Sequence, residues 1–343
     1  GSGVTTRLGI AATVMRTFAA VIVATSCVGG RSTELPEQAG RATGTRLGAR
    51  PSATDVCPPE DRPVEVPVGG VTRRAVVRVP DDAVAPLPAV VLVHGFAAQA
   101  DEFVVSSGVG AQAYEAGVRV IAPQGRGDPS GWDVLADFDA DDAFLTRLSD
   151  SLIDSGCIDR HRVAMGGHSA GSAFAAFFGC AHPDRFNALV LNAGLPPPIC
   201  VRGTPNLVVT HGVDDPVVPY GGGEQRVGDA TVKLDSVPDS VQRWADQDGR
   251  AADPAAKAAS QSAGPGQGGP VTWTRWRGCV GGDGNPAGTR RVSVGLAALA
   301  GWSHAWPGSV TESGASSGLD DGCVLIIAAR TGAPPVNPAD ACP

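Results

Sequence analysis

Along the chain, short wholly apolar runs alternate with stretches in which apolar residues recur every three to four positions. The runs fall at 89–93, 118–122, 162–165, 188–191 and 206–210. A strand that is covered on both faces has this unbroken apolar character, because no position along it meets water. Between the runs, 136–154 sets Phe138, Ala143, Phe144, Leu148, Leu152 and Ile153 on one helical face with its acids early, and 170–180 is a helix of small and aromatic residues. Strand and helix in alternation predict an α/β fold, a mostly parallel central sheet with helices on both faces. Ahead of it, 64–68 and 72–79 flank Gly69-Gly70, a hairpin with a glycine turn. Later, 290–299 and the segment from Val271 are strand-like, and the apolar run 323–329 completes the domain. The low-complexity stretch 250–270 is expected to be a loop insertion within it.

The N-terminal part has a different pattern. Phe18-Ala-Ala-Val-Ile-Val-Ala24 follows Arg16 and leads into Thr25-Ser26-Cys27. A basic residue, a short apolar run and small residues make a secretory signal, and the run is far shorter than the roughly 20 residues a membrane span needs. The expected organisation is a signal or lipoprotein signal over 1–27, a Gly-, Thr-, Arg- and Ser-rich linker over 28–55 and one catalytic domain over 56–343. The opening Gly-Ser-Gly, without a Met, has the look of a cloning remnant. Cys27 is a candidate lipid anchor, with ordinary cleavage after Ser26 as the alternative, so the protein is expected to be secreted or held at the cell envelope.

Composition narrows the partners. The 343 residues include 27 basic and 35 acidic side chains, net charge −8, with no Lys/Arg run, which argues against nucleic acid. Lysine occurs only at Lys233 and Lys257, and the six histidines have no metal-ligand spacing, so no metal and no cofactor is expected. Eight cysteines fit an oxidising compartment. With Cys27 lipidated or removed, three disulfides and one free thiol are the most the rest allow; Cys157, Cys180 and Cys200 cluster, but pairing cannot be read from sequence. A monomer is expected.

The chemistry centres on Gly167-His168-Ser169-Ala170-Gly171, with a strand running in and a small-residue helix running out. That context is the nucleophile elbow, a sharp turn that exposes a serine while flanking glycines let backbones approach. A serine needs a histidine to take its proton and a carboxylate to hold that histidine's tautomer, in the chain order Ser, acid, His. Asp215, with Asp214 as competitor, leaves the end of the 206–210 strand. His304 is the one histidine beyond it. An oxyanion hole would be formed by the amides of Ala170 and of Phe96, in the loop after 89–93. His94 and His211 are expected to brace loops, and His168 stands outside the expected order. Trp132, Tyr220, Trp302 and Trp306 fall on motif loops, as cleft lining or as packing.

Five segments, VLVHGF (91–96), APQGRGDPSGW (122–132), CIDRHRVAMGGHSAGS (157–172), HGVDDPVVPY (211–220) and GWSHAWPG (301–308), together resemble the secreted polyhydroxybutyrate depolymerase and feruloyl esterase family. The resemblance implies an α/β-hydrolase fold, a carboxylic ester substrate, polymeric esters among the candidates, and Ser169, Asp215 and His304 at the catalytic positions. It favours Asp215 over Asp214, because the family's acid directly precedes the Pro-Val-Val-Pro-Tyr segment. This chain departs from the family where Gly171 is followed by Ser172 and where the early loop lacks a cysteine. A serine peptidase or lipase-like enzyme shares the same triad, and an envelope-binding hydrolase fold without turnover is the non-enzymatic alternative.

Overall fold

The computed structural model describes residues 63–342 except 82, 135–136, 195–199, 201–204, 228–229, 248–250, 253–269, 283–284 and 310–316. The expected signal (1–27), the linker (28–55) and most of the 250–270 insertion lie outside the described residues.

Strands β1 (Pro63–Val68) and β2 (Val71–Arg78) form the expected hairpin. Gly69 and Gly70 both have positive φ, +58° and +82°, as a two-residue turn matched to strand twist requires. Next come β3 (Leu87–Val93), α1 (Ala100–Ser106), α2 (Val109–Glu115), β4 (Arg119–Pro123), α3 (Phe138–Asp154), β5 (Ile158–His168) and α4 (Ala170–Ala181). They are followed by β6 (Ala188–Asn192), β7 (Asn206–Gly212), the hairpin β8 (Gly223–Val227) and β9 (Ala230–Leu234), α5 (Val237–Gln247) and β10 (Ala251–Ala252). The described chain closes with β11 (Val271–Gly282), β12 (Asn285–Leu299), α6 (Asp321–Thr331) and α7 (Pro338–Ala341). The insertion expected to be all loop therefore opens on a strand, since Ala251 and Ala252 pair with Arg277 and Trp276.

Among the described residues ten strands form one sheet in the order β1-β2-β4-β3-β5-β6-β7-β12-β11-β10. From β4 to β12 all neighbours run parallel, and the outer strands are antiparallel. All seven residues of β3 are buried. Side chains alternate between the two faces of a strand, and they sort accordingly. Ala89, Val91 and Val93 join Met165, Leu189, Val209, α3, α4 and α5 in one core cluster, while Val90 and Leu92 join Val120, Val190, Val208, α1, α2 and α6 in the other. Helices thus cover both faces, as the alternating pattern predicts. The chain places β4 on one side of β3 and β5 on the other, so the direction of strand addition reverses at the β3/β5 boundary. In open α/β sheets the crevice outside the carboxyl ends at such a reversal is where ligands bind.

Among the described residues two disulfides have both partners: Cys180–Cys200 joins the end of α4 to the segment after β6, and Cys323–Cys342 joins α6 to the residue after α7. Cys157 is disulfide-bonded as well.

Candidate active site

Ser169 stands between β5 and α4 with φ +53° and ψ −119°, a conformation costly for any residue with a Cβ. Packing imposes it. A Cβ on Gly167 would overlap the carbonyl of Gly171, and one on Gly171 would overlap the carbonyl oxygens of Val93 and His94 at the end of β3. Glycine at both positions lets strand, turn and helix close on each other, and the Ser169 amide is fixed by a 2.9 Å bond to the Asn192 carbonyl on β6.

His304 comes from the loop after β12, and Asp215 from the loop after its parallel neighbour β7. The two loops are stitched together: the Gly301 amide donates to Asp214 Oδ2 at 2.8 Å, and the Asp214 amide to the Trp302 carbonyl at 3.2 Å. A side chain on Gly212 would collide with the carbonyls of Trp302 and Ser303. Asp214 therefore holds the histidine loop, and Asp215 faces the histidine. His304 Nδ1 lies 2.7 Å from Asp215 Oδ2, and its Nε2 lies 2.9 Å from Ser169 Oγ. A carboxylate only accepts, so Nδ1 carries the proton and Nε2 receives the serine hydroxyl. The three residues singled out in the sequence form one hydrogen-bonded line.

Asp215 is enclosed. Its Oδ1 accepts the amides of Val217 and Val218, each at 2.8 Å, and Oδ2 is 3.3 Å from His211 Nε2. Burial pushes its pKa up, but the hydrogen bonds from His211, His304 and the Val218 amide outweigh that and hold it well below the usual carboxylate range. His211 thus does more than brace a loop: it donates at 2.8 Å to the Val218 carbonyl and helps keep Asp215 charged.

On the other side of Ser169 lies the loop after β3. A Cβ on Gly95 would sit 3.5 Å from that of Ser169. Among the described residues, neither the Phe96 nor the Ala170 amide donates to a protein acceptor. The loop is braced from behind, in line with the structural role expected of His94. Its Nδ1 donates to the Gly95 carbonyl at 2.7 Å, its Nε2 accepts the Gly125 amide at 2.9 Å, and Trp132 Nε1 donates to its carbonyl at 2.9 Å. Burial lowers the His94 pKa, which keeps the ring neutral in this arrangement.

The aromatic residues require a correction. Trp132, Trp302 and Trp306 are only 8%, 2% and 4% exposed, so they pack and do not wall an open cleft. Trp132 stacks on Phe174 at 4.7 Å, Trp306 meets Phe103 edge-on at 5.4 Å, and Trp302 Nε1 donates to the Ala305 carbonyl at 3.0 Å. Tyr220 is half-buried against the core, 6.0 Å from the His211 ring. Only Phe96, 64% exposed, faces outward. A cavity of about 490 Å³ lined by Arg78, Asp81, Val105 and Tyr114 includes none of these residues.

Missed in the sequence was Asn192. It lies opposite His168 in the β5/β6 register, and its Oδ1 is 2.6 Å from His168 Nδ1. Only the strand order brings the two together.

Comparison with known proteins places the fold. NocK of Nocardia uniformis subsp. tsuyamanensis, a protein named as an esterase, is 32% identical over 243 residues, which cover 64% of this chain and 67% of that one. The solved structure of an acetyl xylan esterase from Aspergillus awamori superposes with a TM-score of 0.50 over 71% of this chain and 94% of its own, and at 14% identity it shares the fold alone. The model of the alpha/beta hydrolase family matches residues 90–336, from within β3 to beyond α6. The chain belongs to the alpha/beta hydrolase family.

Proposed function

We propose that this protein is an exported serine esterase that hydrolyses carboxylic esters through an acyl-enzyme. The observation that carries the reading is the line Ser169 Oγ, His304 Nε2, His304 Nδ1, Asp215 Oδ2, with contacts of 2.9 and 2.7 Å, on a strained turn at the β3/β5 reversal. In the first step His304 takes the Ser169 proton as Oγ attacks the ester carbonyl. Asp215, held ionised by its four hydrogen-bond donors, compensates the imidazolium that forms. The amides of Phe96 and Ala170 form the oxyanion hole; a donor of this kind is worth about 10²–10³ in rate. His304 then protonates the leaving alcohol and activates the water that deacylates Ser169.

Likeness to a protein named as an esterase supports an ester substrate. The five motif segments favour hydroxyalkanoate or feruloyl esters, polymeric ones included. Export rests on the apolar run at 18–24 and on the disulfides, Cys27 being the candidate lipid anchor.

The test is turnover of short-chain p-nitrophenyl esters and methyl ferulate by the full chain and by Ser169→Ala, together with labelling by a fluorophosphonate. Turnover and labelling that both vanish in the variant are expected. A labelled serine that cleaves peptides and not esters would make the protein a peptidase. Absence of both label and turnover would leave a hydrolase fold that only binds.

A further inference from the structure

The site contains a second imidazole that the triad does not use. His168 adjoins Ser169, its ring centroid is 5.0 Å from that of His304, and a Cβ on Gly95 would lie 3.2 Å from its Cδ2. It therefore sits between the base and the loop that carries the Phe96 amide. Inside a protein a histidine is usually satisfied at both nitrogens, and His168 is satisfied at one.

The bonded nitrogen fixes the tautomer. Asn192 Nδ2 lies 3.3 Å from the Thr210 carbonyl oxygen and 3.1 Å from Thr210 Oγ1. A carbonyl oxygen can only accept, so the amide nitrogen must face Thr210, and Oδ1 is the atom presented to His168 at 2.6 Å. Oδ1 in turn only accepts, so His168 Nδ1 carries the proton and Nε2 is a bare lone pair. Thr210 Oγ1 is itself anchored 2.5 Å from Oδ2 of the buried Asp321 on α6. Three residues on β6, β7 and α6 thus hold the acceptor on β5 in place. No described group bonds Nε2, and it is not among the sealed, unpartnered polar atoms of the interior. Burial drops the His168 pKa to about 4, so the ring stays neutral and its lone pair available.

We infer that His168 Nε2 accepts a hydrogen bond from a hydroxyl group of the substrate close to the scissile ester, making His168 a specificity-determining residue. The inference rests on the esterase reading of the same site. The preferred substrates are hydroxylated esters, with the hydroxyl on the acyl part, as in a hydroxy acid, or on the alcohol part, as in a polyol or sugar.

Two matched pairs distinguish these sources, each exchanging a hydroxyl for a methyl group. On the acyl side they are p-nitrophenyl 3-hydroxypropanoate and p-nitrophenyl butyrate; on the alcohol side, 2-hydroxyethyl acetate and propyl acetate. The readout is the ratio of kcat/KM within each pair for the wild type and for His168→Phe, which cancels any loss common to both substrates. In one pair the wild type should favour the hydroxyl, and the variant should lower that ratio about ten-fold, the worth of one buried hydrogen bond. Ratios that are the same in wild type and variant for both pairs would overturn the role of His168 while leaving the esterase reading intact. If the variant does not fold, the wild type decides, since a methyl preference in both pairs also overturns it. No turnover of any ester by the wild type would remove the esterase reading, and the inference with it.

Discussion

Replacing Asp215 by Asn changes one atom, and the surroundings dictate which way the new amide turns. Two backbone N–H groups, those of Val217 and Val218, point at Oδ1 from 2.8 Å, so the amide oxygen must stay there and the NH2 must take the place of Oδ2. It then faces His304 Nδ1, 2.7 Å away, and donates where the carboxylate accepted. Nδ1 has to give up its proton, Nε2 has to carry one, and an Nε2–H cannot receive the proton of Ser169. The NH2 also meets the Nε2–H of His211 at 3.3 Å, donor against donor. Loss of the working tautomer costs about 10⁴ in kcat where this substitution has its full effect. Asp214→Asn is the internal comparison. Among the described residues its side chain bonds only the Gly301 amide, at 2.8 Å, which an amide oxygen can still accept, so at most about 1 kcal/mol is at risk, and kcat should stay within about ten-fold. Both variants would be assayed for kcat on p-nitrophenyl acetate after circular dichroism shows them folded. An Asp215→Asn enzyme within ten-fold of wild type, or a larger loss in Asp214→Asn, would refute the assignment of the acid.

Three further outcomes are expected. Gly171→Ala should lose about 1–3 kcal/mol or more in urea denaturation, because its Cβ meets the rigid carbonyls of Val93 and His94; an unchanged midpoint would show that the turn yields. Asp141 on α3 is fully buried, 2.8 Å from the buried Arg73 and 3.3 Å from Arg126, which also pairs with Asp137 at 2.7 Å, so Asp141→Ala leaves Arg73 buried without its carboxylate and should cost about 3–5 kcal/mol by the same measurement. Between its folded pKa of about 4 and the ordinary value of 6.5, His168 is neutral in the folded protein and protonated in the unfolded chain. Unfolding then takes up a proton, and stability falls as pH is lowered through that window, by up to about 3 kcal/mol from this group. His94, also lowered by burial, adds a contribution of the same sign, so His168→Phe should flatten the pH dependence of the melting temperature without abolishing it.

What was legible in the sequence was whatever a single strand or turn determines by itself. The apolar runs 89–93 and 206–210 are strands buried on both faces, and the elbow is visible because β5, two glycines and α4 are contiguous. His304 was found by chain order and needed no geometry. What depends on which strand lies beside which was hidden: Asn192 meets His168 only because β6 neighbours β5, and Asp214 reaches Gly301 only because β7 neighbours β12. Helix α5 carried a readable signal, with Val237, Val241 and Trp244 on one face and Ser236 ahead of it, accepting from the Asp239 amide at 3.2 Å, yet it stood between segments read for chemistry. The tryptophans show the converse. Position on a motif loop says nothing about which way an indole turns, and in Trp132, Trp302 and Trp306 the gain from burying a large apolar ring decided it.

The glycines of the elbow answer to different selection from the serine between them. Gly167 and Gly171 are required by the carbonyls that press on them, whether or not a reaction takes place, whereas among the described residues the hydroxyl of Ser169 bonds only His304 Nε2. A descendant of this protein that had abandoned hydrolysis would therefore be expected to keep both glycines and to lose the serine. Among its relatives, the glycine spacing reports inheritance of the architecture, and only the middle residue reports whether the chemistry was inherited too.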